Sequence, residues 1–353
     1  MGLGERSGVG SLKEANMRTL IAVILFGFTF LASGPGNAET VIRYATLTSI
    51  NKAPAALVAQ SKGFFEKHGV KVEMKLFPSG RTAIEAMAAG QFDIGMFGDI
   101  PGLALLLQGY PGKIVAAGLG GPARQVLTVP VDSNHQSLKD LKGKRIGLTK
   151  NSTDEIALEA TMRKQGLQWS DFQVINLQPS EKATALKTGG VDAIEAWEPV
   201  PSIIVVNKIG RRLLSADGDI PDIVGVTIAS EKILKENADA VIRFLRALHE
   251  GAVYAQAHPD EMVDLLANEL KVNREVLIQA IPTQWWYIEL FGDTFGNWQR
   301  SADFMHRIKR VSQPFDVRAL VDSSYLAKAL GKSYPLKEPA SQAIKYPVVT
   351  VKQ

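Results

Sequence analysis

Hydrophobic and polar positions follow two different periods along the chain after residue 39. Runs that alternate every second residue, such as "TVIRYATL" and "VKVEMKLF", predict strands, whereas "STDEIALEATMRKQG" has the spacing of a helix. The segment "APAALVAQSKGFFEKHG" likewise predicts one amphipathic helix that ends at Gly69. Strand and helix patterns alternate to about residue 118, and the same order restarts near residue 125. This alternation predicts an α/β fold with mostly parallel sheets and helical crossovers.

The repeated order predicts two lobes of similar construction. We expect lobe 1 to comprise residues 39–126 and 228–330, and lobe 2 to comprise residues 127–227, with a loosely held tail at 331–353. Extended runs near 126–129 and 225–228 are the expected hinge strands. In open α/β sheets, ligands bind outside the carboxyl ends of the strands, so the expected binding site is a cleft between the lobes.

The N-terminal segment has the pattern of a secretory signal. A basic residue, Arg18, precedes an apolar run at 20–32, and small residues follow at Gly36 and Ala38. The apolar run is shorter than the ~20 residues of a spanning helix, although an uncleaved membrane anchor is the alternative. We therefore predict a signal peptide over 1–38, with Met17 as the better start and cleavage after Ala38. The expected location is the periplasm.

Composition narrows the chemistry. The chain has no cysteine, which excludes disulfides, thiolate catalysis and a lipid anchor on an N-terminal cysteine. The net charge of +4 is spread along the chain in short basic runs without aromatic residues, so nucleic acid is not an expected partner. The five histidines are scattered and lack metal-ligand spacing. "GLGGPA" at 118–123 fits a dinucleotide pattern, but a strand follows it instead of a helix. No metal and no cofactor are expected.

Polar residues occupy each predicted turn from a strand into a helix. Such residues cap helices, and a helix N-terminus also offers free N–H donors and a partial positive charge to an anion. For any one turn, capping alone is the simpler interpretation, but four such turns at one cleft favour an anion site. Asp99 has a second interpretation, as the partner of a ligand ammonium. The residues concerned are Ser49, Asn51 and Lys52; Ser79, Gly80 and Arg81; Gly98, Asp99 and Pro101; and Ser152 and Thr153.

The stretch "AIEAWEP" carries the second signal. Trp197 ends a predicted strand and is either an apolar wall of the cleft or a core residue. Glu198 is either a partner for a cationic ligand end or a residue that stabilises the next helix. Trp285 and Trp286 are adjacent, so on a helix they diverge by ~100° and at most one of them faces the cleft.

Four segments, in this order, resemble the nitrate/sulfonate/bicarbonate group of ABC-transporter solute-binding proteins. The segments are "LVAQSKGFFEKHGVKVE", "FPSGRTAIEAMAAGQFDIGMFGDIP", "DLKGKRIGLTKNST" and "GGVDAIEAWEP", and the resemblance covers about residues 41–330. Within the group, the chain is most similar to aliphatic sulfonate and taurine binders. The resemblance implies a bilobal type II periplasmic-binding fold with two hinge strands, and delivery of the ligand to a permease driven by an ATPase. It implies a pocket of Ser49, Asn51, Ser79, Gly80, Arg81, Gly98, Asp99, Ser152, Thr153, Trp197 and Glu198.

Two turns depart from the family pattern. The first loop lacks the Gly- or Tyr-rich lead of the family and Lys52 adds a cation there, and "SGR" places the bulky base Arg81 where smaller residues are common. The predicted function is capture of an aliphatic sulfonate, taurine-like, or of a similar small organic anion by a monomer that catalyses nothing. Nitrate, bicarbonate or a pyrimidine precursor is the alternative ligand. An enzyme on the same fold is the alternative class, with Asp99 or Glu198 as its acid or base. A sensory module is a third possibility.

Overall fold

The computed structural model of the protein describes residues 40–118, 125–215, 224–290, 293–334 and 350–351. These residues form the two α/β lobes that the sequence predicts. Within the described ranges, no helix combines the length and the apolar character that a membrane crossing requires. The predicted signal segment lies outside the described residues.

Strands and helices alternate through both lobes before the chain returns to lobe 1. The first passage through lobe 1 contains β1 (Val41–Leu47), α1 (Pro54–Ser61), α2 (Phe64–Lys67), β2 (Lys71–Phe77), α3 (Gly80–Ala88), β3 (Ile94–Phe97), α4 (Asp99–Leu107) and β4 (Gly112–Ala117). Lobe 2 contains β5 (Gln125–Pro130), β6 (Arg145–Leu148), α5 (Thr153–Lys164), β7 (Gln173–Asn176), α6 (Pro179–Lys187), β8 (Ala193–Trp197), α7 (Val200–Val206) and β9 (Gly210–Ser215). The return to lobe 1 contains β10 (Val226–Ser230), α8 (Glu231–Glu236), α9 (Ala238–Ala257), α10 (Pro259–Leu270), α11 (Arg274–Ala280), α12 (Thr294–Arg307) and α13 (Ser324–Leu330).

Each lobe is built on a five-stranded sheet with the same topology. The strand order is β2-β1-β3-β10-β4 in lobe 1 and β7-β6-β8-β5-β9 in lobe 2. In each sheet one strand runs antiparallel to both of its neighbours, β10 in lobe 1 and β5 in lobe 2. These are the two extended runs that the sequence predicts as hinge strands. Each is therefore an internal strand of a sheet, next to the point where the chain changes lobe.

The sheet pairings show where each lobe begins along the chain. Gln125 already pairs with Trp197 in the sheet of lobe 2, and Val226 already pairs with Phe97 in the sheet of lobe 1. Beside the two crossings, the backbone N–H of Gly118 donates to the carbonyl of Gly225 at 2.5 Å. The residue before the first crossing and the residue after the second crossing are thus hydrogen-bonded neighbours.

One local prediction was wrong, and one strand was missed. The single helix predicted over 53–69 is two helices, because Gly63 adopts the left-handed backbone conformation (φ 69°) and starts a new turn. Strand β9 was not predicted, since its sequence "GRRLLS" lacks the alternation of a half-buried strand.

The interiors of the lobes differ. Lobe 1 has one large apolar core, in which the ring of Phe244 from α9 packs against Tyr44 and Phe65 with centroid distances of 5.1 and 5.5 Å. Lobe 2 has two smaller apolar clusters. Along β8, Ala193 belongs to one cluster and Ile194 to the other, so the clusters lie on opposite faces of the sheet.

Both lobes also contain the same arginine–aspartate pair. In lobe 1, Nη2 of Arg43 on β1 donates to Oδ1 of Asp93 at 2.6 Å, and its backbone N–H donates to Oδ2 at 3.0 Å. In lobe 2, Nη2 of Arg145 on β6 donates to Oδ1 of Asp192 at 2.9 Å, and its backbone N–H donates to Oδ2 at 2.8 Å. Each pair joins the first part of one strand to the residue just before the neighbouring strand, β3 in lobe 1 and β8 in lobe 2.

Candidate functional site

A small cavity lies where the carboxyl ends of the strands of both lobes meet. The cavity volume is about 30 Å³, and the whole empty space, including the part open to solvent, is about 370 Å³. The cavity therefore suits a ligand of a few heavy atoms. The described residues that line it are Leu47, Ser49, Asn51, Lys52, Gly80, Gly98, Pro101, Ser152, Thr153 and Trp197.

The loop between β1 and α1 forms one wall. The hydroxyl of Ser49 donates to Oδ1 of Asn51 at 2.7 Å, which holds both side chains at the wall. Lys52 is only 3% exposed although it carries a cation. From outside the loop, the indole N–H of Trp286 donates to the carbonyl of Ile50 at 2.9 Å. A core side chain thus fixes the shape of this wall.

The first turns of α3 and α4 approach each other at the second wall. Ser79 caps α3, with its hydroxyl accepting the N–H of Thr82 at 3.4 Å. A Cβ on Gly80 would lie 2.7 Å from Cγ of Pro101, in the first turn of α4. Only glycine allows this approach, which brings two sets of N–H groups without intrahelical partners to the same space.

The third wall comes from α5 of lobe 2. The hydroxyl of Ser152 caps this helix by accepting the N–H of Asp154 at 3.2 Å, and it donates to the carbonyl of Thr149 at 2.6 Å. A Cβ on Gly98 would lie 2.8 Å from Cγ2 of Thr153. Lobe 1 and lobe 2 are therefore in close contact at the cavity, as in a closed form of a two-lobed binding protein.

A buried charged cluster lies behind α5. Nζ of Lys182 donates to Oδ2 of Asp154 at 2.6 Å and to the carbonyl of Glu195 at 2.9 Å. All three residues are fully buried. Burial raises the pKa of the Glu195 carboxyl well above its usual value, and the nearby Asp154 raises it further, while Lys182 opposes both effects. Burial is also the main cause of the raised pKa of Asp154.

Two ion pairs join the lobes beside the cavity. Nη2 of Arg310 lies 2.6 Å from Oε2 of Glu155, and Nη2 of Arg307 lies 3.1 Å from Oε2 of Glu159. The two glutamates are four residues apart on α5, and the arginines belong to α12 and the segment after it. The helix that presents Ser152 and Thr153 to the cavity is thus also held to lobe 1 by charge.

The structure brings seven of the eleven sequence-predicted site residues to the cavity wall and places Ser79 directly behind it as a helix cap. The seven residues are Ser49, Asn51, Gly80, Gly98, Ser152, Thr153 and Trp197.

Arg81, Asp99 and Glu198 do not line the cavity. The guanidinium of Arg81 points away from it into an outer groove, pairs with Glu85 at 3.1 Å on the same helix, and is 59% exposed. Asp99 accepts a hydrogen bond from Ser301 on α12. The Glu198 carboxylate accepts from Arg212 at 2.5 Å and from the N–H of Ser202 at 3.2 Å. Neither acid is among the described residues that line the cavity.

The tryptophans divide between the cavity and the core. Trp197 lines the cavity and is 9% exposed, with Nζ of Lys182 4.9 Å from its ring centroid on the other side. Trp286 is a core residue, and Trp285 packs against Tyr287 with ring centroids 4.5 Å apart. Among the described residues, neither of these two tryptophans lines the cavity.

Sequence reasoning named Lys52 as a polar residue of a pocket turn but not among the expected pocket residues, did not assign Leu47 to the site, and missed the buried cluster entirely. Lys52 stands in a polar turn before a helix, which was the available signal. Lys182 and Glu195 carry no comparable signal, because a lysine within "EKATALK" and a glutamate within "AIEAW" look like ordinary helix and strand residues.

Comparison with known proteins agrees with this geometry. The profile of the family described as NMT1/THI5 like matches residues 51–262. A putative aliphatic sulfonates-binding protein of Bacillus subtilis (strain 168) is 30% identical over 318 residues, which are 88% of this chain and 95% of that protein. The taurine-binding periplasmic protein of Escherichia coli (strain K12) is 26% identical over 258 residues, 71% of this chain and 77% of that one.

A solved structure shares the fold. The periplasmic aliphatic sulphonate binding protein SsuA from Escherichia coli superimposes with a TM-score of 0.71 at 22% identity, covering 83% of this chain and all of that one. The predicted two-lobed α/β fold is thereby confirmed. The chain belongs to the NMT1/THI5-like family, and the predicted resemblance to sulfonate- and taurine-binding solute-binding proteins is confirmed.

Proposed function

We propose that the protein is the periplasmic solute-binding component of an ABC importer and that it captures a small aliphatic sulfonate by closure of its two lobes. The observation that carries this proposal is the convergence of the first turns of α3, α4 and α5, together with Lys52, on one small cavity. Each helix start contributes N–H donors and about half a positive charge. Hydrogen bonds to a charged group contribute about 1.5–3 kcal/mol each, so a few of them suffice to hold an oxyanion.

The remaining walls suit the alkyl part of such a ligand. Leu47, Pro101 and Trp197 supply apolar surface beside the polar groups. Among the described lining residues, Lys52 is the only titratable one, so the cavity wall supplies no carboxylate or imidazole for acid–base chemistry. This composition supports binding rather than catalysis. The names of the relatives support a sulfonate ligand and a periplasmic location, and partnership with a permease and its ATPase is part of the same proposal.

A ligand screen tests the proposal. Methanesulfonate and ethanesulfonate are expected to raise the melting temperature and to bind with a measurable heat in calorimetry, because a ligand at 100 times its Kd adds about 2.7 kcal/mol to folding stability. Nitrate, bicarbonate and pyrimidines serve as competing ligands, and product analysis checks for turnover. A response to one of those ligands and to no sulfonate would overturn the sulfonate assignment.

A substitution at Gly98 tests the proposed closure of the two lobes. The residue has φ −63°, which alanine adopts without strain, but the added Cβ would meet Cγ2 of Thr153 across the lobes. Overpacking of this kind costs about 1–3 kcal/mol, so Gly98→Ala is expected to weaken sulfonate binding about 5- to 150-fold. The double variant with Thr153→Ser removes the facing methyl group and is expected to recover most of the affinity. Recovery would not occur if the new methyl group struck the ligand itself.

A further inference from the structure

The start of α5 has a cavity on one side and a buried carboxylate on the other. Ser152 and Thr153 line the cavity, whereas the next residue, Asp154, is fully buried in lobe 2. There Oδ2 of Asp154 accepts from Nζ of Lys182 at 2.6 Å and from the N–H of Thr149 at 2.9 Å. An anion in the cavity and the carboxylate of Asp154 are therefore attracted by the same helix start, and they repel each other.

Lys182 brings the buried cluster close to the cavity wall. Its Nζ lies 4.9 Å from the ring centroid of Trp197, and Trp197 lines the cavity. The same Nζ donates to the carbonyl of Glu195 at 2.9 Å. Only an aromatic ring thus separates the ammonium group from the cavity. Across such an interior, charges interact more strongly than they do in water.

The carboxyl group of Glu195 is the unpaired member of the cluster. Glu195 is fully buried, and neither of its carboxyl oxygens has a hydrogen-bond partner among the described residues. On β8 it shares a sheet face with Ala193, and its partner on β5 is Leu127, so its neighbours within the sheet are apolar. A buried carboxyl group without hydrogen bonds favours its neutral, protonated form.

The charged groups around Glu195 come from the two helices that pack on its strand. Helix α5 presents Asp154, which raises the pKa of Glu195, and α6 presents Lys182, which lowers it. Glu155 follows Asp154 along α5, but its carboxylate is paired with Arg310 at 2.6 Å. An ionised Glu195 thus shares the ammonium of Lys182 with a second carboxylate. An anion in the cavity adds one more negative charge to this group.

We infer that ligand capture is coupled to protonation: when an anion occupies the cavity, the buried cluster takes up a proton, and Glu195 accepts it. This inference rests on the proposed function and adds to it a residue that does not touch the ligand. The proton comes from the solvent and forms an O–H bond on a carboxyl oxygen of Glu195, while the sulfonate stays ionised. Because coupling is reciprocal, a proton on Glu195 strengthens anion binding by the same factor.

Calorimetry counts the protons. Methanesulfonate binding is measured between pH 5 and pH 9 in buffers of different ionisation enthalpy, and the dependence of the binding heat on the buffer gives the number of protons taken up. Uptake is expected to pass through a maximum of about 0.3–0.8 protons per ligand, and the affinity to fall about 3- to 100-fold in total as the pH rises through that interval. No uptake at any pH, with methanesulfonate bound, would overturn the inference and leave the proposed function intact. No binding of any alkanesulfonate would contradict both.

A pair of variants assigns the proton to its site. Glu195→Gln is permanently uncharged, so it is expected to take up less than about 0.1 protons and to keep the low-pH affinity of the wild type at every pH. Glu269→Gln removes an exposed carboxylate on α10 in lobe 1, and it is expected to keep the uptake of the wild type. Undiminished uptake in Glu195→Gln would overturn the assignment to Glu195.

A measurement on the wild type does not depend on the folding of a variant. Infrared difference spectra recorded with and without methanesulfonate, at the pH of maximal uptake, are expected to show the C=O stretch of a newly protonated carboxylic acid. Proton uptake without this band would place the proton on a group other than a carboxylate and would contradict the inference.

Discussion

The two lobes share a topology but differ in what fills their interiors. Both sheets have the same strand order and the same arginine–aspartate pair at the same place. Helix α1 in lobe 1 and helix α5 in lobe 2 occupy equivalent places, after β1 and β6. The second residue is Ala55 in α1 and Asp154 in α5, and both are fully buried. Lobe 1 also buries Lys52 and Asp99 near the cavity but packs most of its buried side chains in one large apolar core, whereas lobe 2 places Lys182 and Glu195 beside Asp154.

The difference shows that two lobes with the same fold can be stabilised by different interactions. Apolar burial stabilises lobe 1 and is insensitive to pH. The stability of lobe 2 depends in addition on a buried cation that compensates buried acids, and such an arrangement is costly to disturb by removing one member. Lobe 2 is therefore expected to be the more sensitive lobe to charge-changing substitutions and to pH.

The largest expected effect follows from removing the buried cation. Lys182→Met leaves Asp154 without its charged partner in a fully buried position, so the free energy of unfolding is expected to fall by about 3–5 kcal/mol. Urea denaturation followed by circular dichroism measures the change. Lys187→Met on the same helix removes an exposed lysine and is expected to change stability by less than about 0.5 kcal/mol. Similar values for the two variants would contradict the proposed contrast between the lobes.

A pH series tests Glu195, whose two carboxyl oxygens have no hydrogen-bond partner among the described residues. Because folding raises the pKa of Glu195, the folded protein keeps a proton that the unfolded chain has lost. The contribution of Glu195 to the free energy of unfolding is thus fully present below pH 4.5, the ordinary pKa of a glutamate. It falls as the pH rises towards the pKa in the folded protein, by up to about 1.4 kcal/mol per pH unit.

Glu195→Gln removes that titration, so its free energy of unfolding is expected to decline less between pH 5 and pH 8 than that of the wild type. Some slope remains in the variant, since Asp154 also has a raised pKa. Urea denaturation at several pH values measures both curves. Parallel curves would show that Glu195 is ionised in the folded protein.

The smallest expected effect concerns the feature that the lobes share. The arginine side chains of the two equivalent pairs are 41% exposed at Arg43 and 39% exposed at Arg145, so solvent screens both pairs. Arg43→Gln and Arg145→Gln are each expected to cost about 1 kcal/mol or less, and by similar amounts. Thermal unfolding checks this, with the exposed Arg163→Gln as the control. A much larger cost in one lobe would break the equivalence.

The sequence predicted most of the fold because its strands and helices have strong local patterns. β1, β2 and α5 carry clear periodicity, and the restart of the order revealed the second lobe. The direction of β5 and β10 was not predictable, since it depends on pairing with strands distant in the chain. The break between α1 and α2 depended on the backbone conformation of Gly63, which helical periodicity does not report.

The site was predictable where its chemistry is a helix start, because Ser79, Gly98 and Ser152 are cap residues next to recognisable helices. It was not predictable where the direction of a side chain decides. Asp99 is satisfied by a residue 202 positions away, and Glu198 by one 14 positions away. Local sequence indicates a turn, whereas only the tertiary structure determines which turn residues face the cavity.

The two arginine–glutamate contacts between α5 and the region of α12 are partly exposed, with Arg307 at 42% and Arg310 at 24% side-chain exposure. Salt screens such pairs in part, with a screening length near 8 Å at about 0.15 M. For the proposed closure, the lifetime of the closed form is therefore expected to depend partly on ionic strength. Low salt is expected to prolong the closed form and high salt to shorten it, without any change in the residues that line the cavity.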